Sequence, residues 1–138
     1  MTYVLDTNIF LRMFAKEDEN DYKECLGLFN KIKSSKIDAV VAGITLTEIN
    51  WVLRSYYKVS KNIATRNLET IVNSPGIKII DLYDWTNAIK TYETTGIKLV
   101  DAVLATIPKV ASHQWTIVSY DEDFKKLPIL WKKPSQLP

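Results

Sequence analysis

The strongest constraint on how this chain folds lies near its start, in Tyr3-Val4-Leu5-Asp6-Thr7-Asn8-Ile9-Phe10-Leu11. Val4 and Leu5 open an apolar run with the character of a short buried strand. Asp6 sets a carboxylate where that strand has to end, and the residues after it return to apolar, helix-like spacing. In an open α/β sheet, ligands bind outside the carboxyl ends of parallel strands, so an acid at that point is a candidate metal or substrate group. The position also suits a plainer use. Asp and Asn are favoured N-caps, and Asp6 or Asn8 could accept from an unpaired backbone N–H of the next helix.

The rest of the chain repeats this alternation. Ile9, Phe10 and Met13 give a first helix, which fades into the polar stretch 16–21. A second helix is expected over 21–34, with Tyr22, Cys25, Leu26, Phe29 and Ile32 recurring as one core-facing stripe. Residues 37–42 read as a strand broken by Gly43, and Thr45 starts a helix carrying Leu46, Ile49, Val52, Leu53 and Tyr56. Ser60 can cap a fourth helix with Ile63, Leu68, Ile71 and Val72. Asn73-Ser74-Pro75-Gly76 signals a turn into a strand over 77–80, and Asp84 and Gly96 bracket a further helix. The segment 99–110 has helical spacing that Pro108 must kink or shorten. A strand over 116–119 leads into the turn Tyr120-Asp121-Glu122-Asp123-Phe124, and the proline-punctuated tail 130–138 has room for one edge strand. Short strands alternating with helices predict an α/β fold with a mainly parallel sheet covered on both faces.

At 138 residues, with 46% hydrophobic and 25% charged side chains, the chain suits a single domain, 1–138, with a core that needs no staples. It has no internal repeat, low-complexity run or second-domain linker. Its one cysteine, Cys25, has no intramolecular partner and lies on the apolar helical stripe, as expected of a core residue in a reducing, cytoplasmic setting. Asp6 and Arg12 interrupt any N-terminal signal-like segment, and no apolar run is long enough to span a membrane. The net charge of +2 is mildly basic, so acids gathered in one site would leave the remaining surface more cationic than the total.

Four acids fall at strand ends or nearby helix starts, hence along one predicted sheet edge: Asp6, Glu48, Asp101 and Asp121, with Asp123 two residues beyond. Each has a local alternative. Thr45-x-x-Glu48 has the form of a capping box, Asp101 could complement a helix dipole, and Asp121 with Asp123 fits a turn plus a cap. Together they point elsewhere. Two unit charges about 4 Å apart interact by about 4 kcal/mol at an effective dielectric near 20, so clustered carboxylates repel unless protonated or neutralised. A hard divalent cation such as Mg²⁺ or Mn²⁺ neutralises such a set through oxygen ligands. Zinc is disfavoured, because His113 and Cys25 are the sole His and Cys. The sole histidine also leaves no Ser–His or Cys–His nucleophile arrangement, and its place between Ser112 and Gln114 suits a surface loop.

Asp6-Thr7-Asn8, Glu48, Asp101-Ala102 and Ser119-x-Asp121-x-Asp123-Phe124 together resemble the PIN-domain ribonuclease family, most closely the VapC-type toxins of toxin–antitoxin pairs. The resemblance runs from Tyr3 to about Leu127 and implies a three-layer α/β/α sandwich. It further implies that Asp6, Glu48, Asp101 and Asp121 form a catalytic, metal-binding set, that Asn8 and Ser119 support it, and that Asp123 is an additional acid. The activity implied is hydrolysis of RNA phosphodiesters with Mg²⁺ or Mn²⁺; the partners implied are an antitoxin and a second copy of the chain. Pro108 departs from the family's usual helix at that point.

RNA has to reach such a centre across a cationic rim, for which Arg12, Lys16, Arg54, Lys98 and Lys125 are the candidates. Trp115 and Trp131 are placed either to stack on bases or to pack in the core or an edge strand, and Trp51, Tyr56 and Tyr57 are candidate anchors for a protein partner. Two other readings stay open: a PIN-like RNA-binding or scaffold domain without catalysis, and another acid-centred α/β domain such as a phosphotransfer module.

Overall fold

The computed structural model describes residues 1–138. The central strand is β1 (Thr2–Leu5), flanked on one side by β2 (Asp38–Ala42) and β3 (Ile77–Ile80), and on the other by β4 (Trp115–Val118) and β5 (Trp131–Lys132). Every pairing is parallel, in the order β3-β2-β1-β4-β5. The two-residue strand β5 is the edge strand expected from the tail.

Seven helices cover the sheet: α1 (Thr7–Ala15), α2 (Glu19–Lys33), α3 (Gly43–Ser55), α4 (Lys61–Val72), α5 (Trp85–Thr94), α6 (Leu99–Ala105) and α7 (Pro108–Ala111). The strand period of two sorts the core between the faces. Tyr3, Leu5, Ala39, Val41 and Val118 pack with Phe10, Cys25, Ile49 and Ile71 from α1 to α4. Val4, Val40, Ala42 and Ile117 pack with Ala88, Val103, Leu104 and Val110 from α5 to α7, and with Phe124. This is the expected three-layer sandwich. No helix is long and apolar enough to cross a membrane.

Several local expectations shift. Asp18 accepts from the Asp21 N–H and starts α2 at Glu19, and Leu28 joins its buried stripe while Leu26 stays exposed. Ala64, not Ile63, faces inward on α4. Gly43 ends β2 as read and also opens α3, two residues before the expected start at Thr45; a side chain at 43 would run into the Asp81 carboxylate. Pro108 divides the expected 99–110 helix, ending α6 near Thr106 and serving as the first residue of α7, where its missing N–H costs nothing.

Candidate functional site

The strand order reverses between β1 and β4, and the crevice outside their carboxyl ends is where an open parallel sheet binds ligands. Asp6 follows β1 directly and its backbone N–H donates to Val118 O of β4 (3.0 Å). Its side chain is the N-cap of α1, with Oδ1 accepting from the Thr7 N–H (2.8 Å). Capping engages only that oxygen. Oδ2 faces β4 and accepts from the Ser119 hydroxyl (2.7 Å) and, more loosely, from Asn8 Nδ2 (3.3 Å).

Ser119 spends its full hydrogen-bonding capacity here. While donating to Asp6, its Oγ accepts from Asn8 Nδ2 (2.9 Å) and from the Asp121 N–H (2.9 Å). Asn8 Oδ1 accepts from the Tyr120 N–H (3.1 Å), so the β1 and β4 ends are cross-linked by side chains more than a hundred residues apart. Asp121 in turn caps the 3-10 helix Glu122–Lys126 through the Asp123 N–H (2.9 Å).

The other acids arrive from helices. Because α3 begins at Gly43 with Ala42 as its cap, Glu48 lies in the second turn, and the Thr45–Glu48 capping box does not form. Glu48 instead lines a cleft of about 260 Å³ together with Asp6, Thr7, Asn8, Leu11, Trp51, Val52, Lys98 and Asp101. Asp101, in the first turn of α6, is only 3% exposed, and its Oδ2 has no hydrogen-bond partner. Thr7 Oγ1, on the same cleft, is likewise buried and unpaired. Asp123 is drawn away, its carboxylate pairing with Lys126 (3.1 Å).

Burial and mutual repulsion shape the protonation of this group. Burial pushes Asp101 up to about 8, helped by the charges of Asp6, Asp121 and Glu48 and opposed by Lys98. Burial also raises Asp6 to about 6; the Ser119 and Thr7 hydrogen bonds pull it down, while Glu48 and Asp121 push it up. Asp121 therefore belongs to the same electrostatic group as the cleft acids, though it lies outside the cleft wall.

The donor set fits a hard cation: carboxylate oxygens only, one of them buried without a partner. No three acidic, His or Cys side chains close into a finished cage. Mg²⁺ does not require one, since it commonly keeps several waters and takes one or two carboxylates.

Of the five rim cations, four have other engagements. Arg12 pairs with Asp21 (2.9 Å), Lys16 lies over Tyr22 (4.7 Å), Arg54 donates to Val59 O (2.9 Å) and Lys125 pairs with Glu122 (2.7 Å). Lys98 alone lines the cleft. Trp131 packs at the edge, donating to Ser119 O (3.1 Å), and half-buried Trp115 lies beneath Lys109 (5.0 Å). His113 sits in an exposed turn against Pro128 O (2.7 Å).

Sequence reasoning missed Tyr120. Its hydroxyl donates to Glu24 (2.9 Å) and lies 3.5 Å from buried Cys25, tying the Ser119–Asp121 segment to α2. Nothing local in the sequence marks a contact across that separation.

The sequence model described as PIN domain matches residues 3–130. No curated protein matches the chain significantly by sequence. Similar solved structures include VapBC2 from Rickettsia felis bound to a promoter DNA fragment, with TM-score 0.67, 20% identity, and coverage of 96% of this chain and 98% of that one. PAE2754 from Pyrobaculum aerophilum gives TM-score 0.65 at 17% identity, covering 95% and 83%. VapBC-1 from nontypeable Haemophilus influenzae gives 0.63 at 15%, covering 99% and 100%.

Proposed function

This chain belongs to the PIN domain family, and from that premise we propose that it is a metal-dependent endoribonuclease, the toxin of a toxin–antitoxin pair. The observation that carries the reading is Asp101: a buried carboxylate with an unpaired oxygen, set beside Asp6 and Glu48 in an open cleft at the sheet's switch point. A structural acid would have its hydrogen bonds satisfied, whereas an acid kept for a cation need not.

Of the proposed set Asp6, Glu48, Asp101 and Asp121, the Asp6 and Asp101 carboxylates would hold the ion directly. Glu48 and Asp121 would add negative charge and bind its waters, and Asn8 and Ser119 would support them. Bound Mg²⁺ or Mn²⁺ supplies charge neutralisation, a more acidic water and a template for in-line attack on phosphorus. Ser119 and the Thr7 N–H fix the Asp6 carboxylate in one orientation. Asn8 and Ser119 lock the β4 loop that carries Asp121. Asp101, raised to about 8 by burial, would have to release its proton for a cation to bind there. Lys98 offsets the charge of an approaching phosphate at the cleft wall.

The VapBC complexes among the similar structures support an antitoxin partner, and the second copy of the chain is a proposal from the family resemblance. An antitoxin segment and a second copy of the chain are the proposed occupants of two apolar surfaces. One is a groove of about 210 Å³ lined by Phe10, Met13, Phe14, Phe29 and Ile71. The other is the exposed α5 stripe Trp85, Ile89 and Tyr92. The setting proposed is cytoplasmic.

Incubating the purified protein with single-stranded RNA in Mg²⁺, Mn²⁺ or excess EDTA tests the activity. Cleavage in the metals and none in EDTA is expected. RNA binding without cleavage under any of them would favour the scaffold reading, and cleavage that survives EDTA would overturn the metal assignment.

A further inference from the structure

Trp51 stands apart from the other tryptophans. It is 66% exposed, an unusual state for so large an apolar side chain. Trp85 meets the Tyr83 ring edge-on, and Trp115 and Trp131 lie beneath Lys109 and Lys125. Trp51 has no aromatic or cationic partner, and it lines the same cleft as Asp6, Glu48 and Asp101. The helix that supplies Glu48 supplies the indole three residues later, on the same face. Buried Ile49 and Leu53 anchor that helix, so both side chains project from a fixed backbone. Also on the cleft is Lys98, an exposed ammonium with no ion pair.

We infer that Trp51 and Lys98 form a nucleotide-recognition element at the cleft: the indole stacks on an unpaired base beside the scissile phosphate, and the ammonium pairs with a neighbouring phosphate. This deepens the ribonuclease reading and rests on it. Stacking suits a cleft crowded with carboxylates, because a base presents an uncharged π-face and brings no like charge toward them. The Lys98 charge offsets the repulsion between those acids and the phosphate. A duplex keeps its base faces stacked on one another and offers none to Trp51, so the element selects single-stranded or looped RNA.

The test measures binding of a fluorescein-labelled single-stranded RNA oligonucleotide, and of the same strand annealed to its complement, by anisotropy in EDTA. Cleavage in Mg²⁺ is followed in parallel. Single strands are expected to bind more tightly than the duplex. Trp51→Ala should weaken single-strand binding about tenfold or more, and Trp51→Phe should restore most of it. Lys98→Gln should reduce the slope of log affinity against log salt by about 0.7, the share of one phosphate contact on a single strand. Ile63→Ala, at an exposed α4 position outside the cleft lining, should leave binding unchanged. RNA that is bound and cleaved equally well by Trp51→Ala overturns the element and leaves the nuclease reading standing. Absence of both binding and cleavage in the parent overturns the two together. If Trp51→Ala turns a dimer into a monomer by light scattering without changing RNA affinity, the indole is a protein contact and the inference fails.

Discussion

Asp101→Asn keeps the shape of the side chain and removes its charge, and in metal-free protein its effect on stability should reverse with pH. The amide places a donor where Oδ2 has no partner, costing about 1–3 kcal/mol at any pH. Against this stands the titration of the parent. Asp101 is raised from 3.8 to about 8, so between those values the native state holds a proton that the unfolded chain has lost. The parent's stability from this group is therefore full below the unfolded pKa and falls as pH rises toward the folded one. The slope is about 1.4 kcal/mol per pH unit, giving an upper limit of about 6 kcal/mol over the interval. The variant does not suffer this loss. It should be the less stable protein near pH 4 and the more stable above about pH 6. Mg²⁺ in hundredfold excess over its Kd would stabilise the parent by about 2.7 kcal/mol and the variant by much less. Urea denaturation from about pH 4 to about pH 9, in EDTA and in Mg²⁺, reads both effects. A stability difference that does not vary with pH, or an equal magnesium response in the two proteins, would refute the reasoning.

Ser119→Ala removes the hub of three hydrogen bonds and leaves Asp6 Oδ2 with only the long Asn8 contact, so a loss of about 1–3 kcal/mol is expected in chemical denaturation. Its removal should also lower divalent-dependent cleavage, because the Asp121 loop loses its tether; unchanged stability and activity would contradict the network. Cys25 is fully buried with its thiol pushed up to about 11 by burial, so it should react with a thiol reagent only as fast as the protein unfolds, as measured by labelling in increasing urea.

The layers and the acid positions were legible because both are local signals. The period-two strands each divide between two apolar faces, and Asp6 breaks its run at the point where β1 ends. What escaped depends on contacts between distant segments. Gly43 ends β2 as its type suggests, but that it also opens α3, with Asp81 occupying the space of a side chain there, has no local mark. With the start of α3 misplaced, Glu48 falls into the form of a capping box. Asp121 and Asp123 are indistinguishable in sequence, but Lys126 claims one and the Ser119 hydroxyl receives the backbone N–H of the other. Helical spacing offers Leu26 and Leu28 alike to the core, and the packing of α2 against α1 and the tail selects Leu28. Arg12 and Lys98 both carry a positive charge, yet Asp21 pairs with the first, while the second lines the cleft without an ion pair.

Anomalous diffraction from crystals soaked in Mn²⁺ tests the central claim most directly, because it locates the ion without reference to activity. The account predicts a manganese peak within bonding distance of Asp101 Oδ2 and the Asp6 carboxylate, lost in the Asp101→Asn protein. Manganese bound only outside the cleft, with Asp101 Oδ2 still unliganded in a soaked crystal that cleaves RNA, would contradict it.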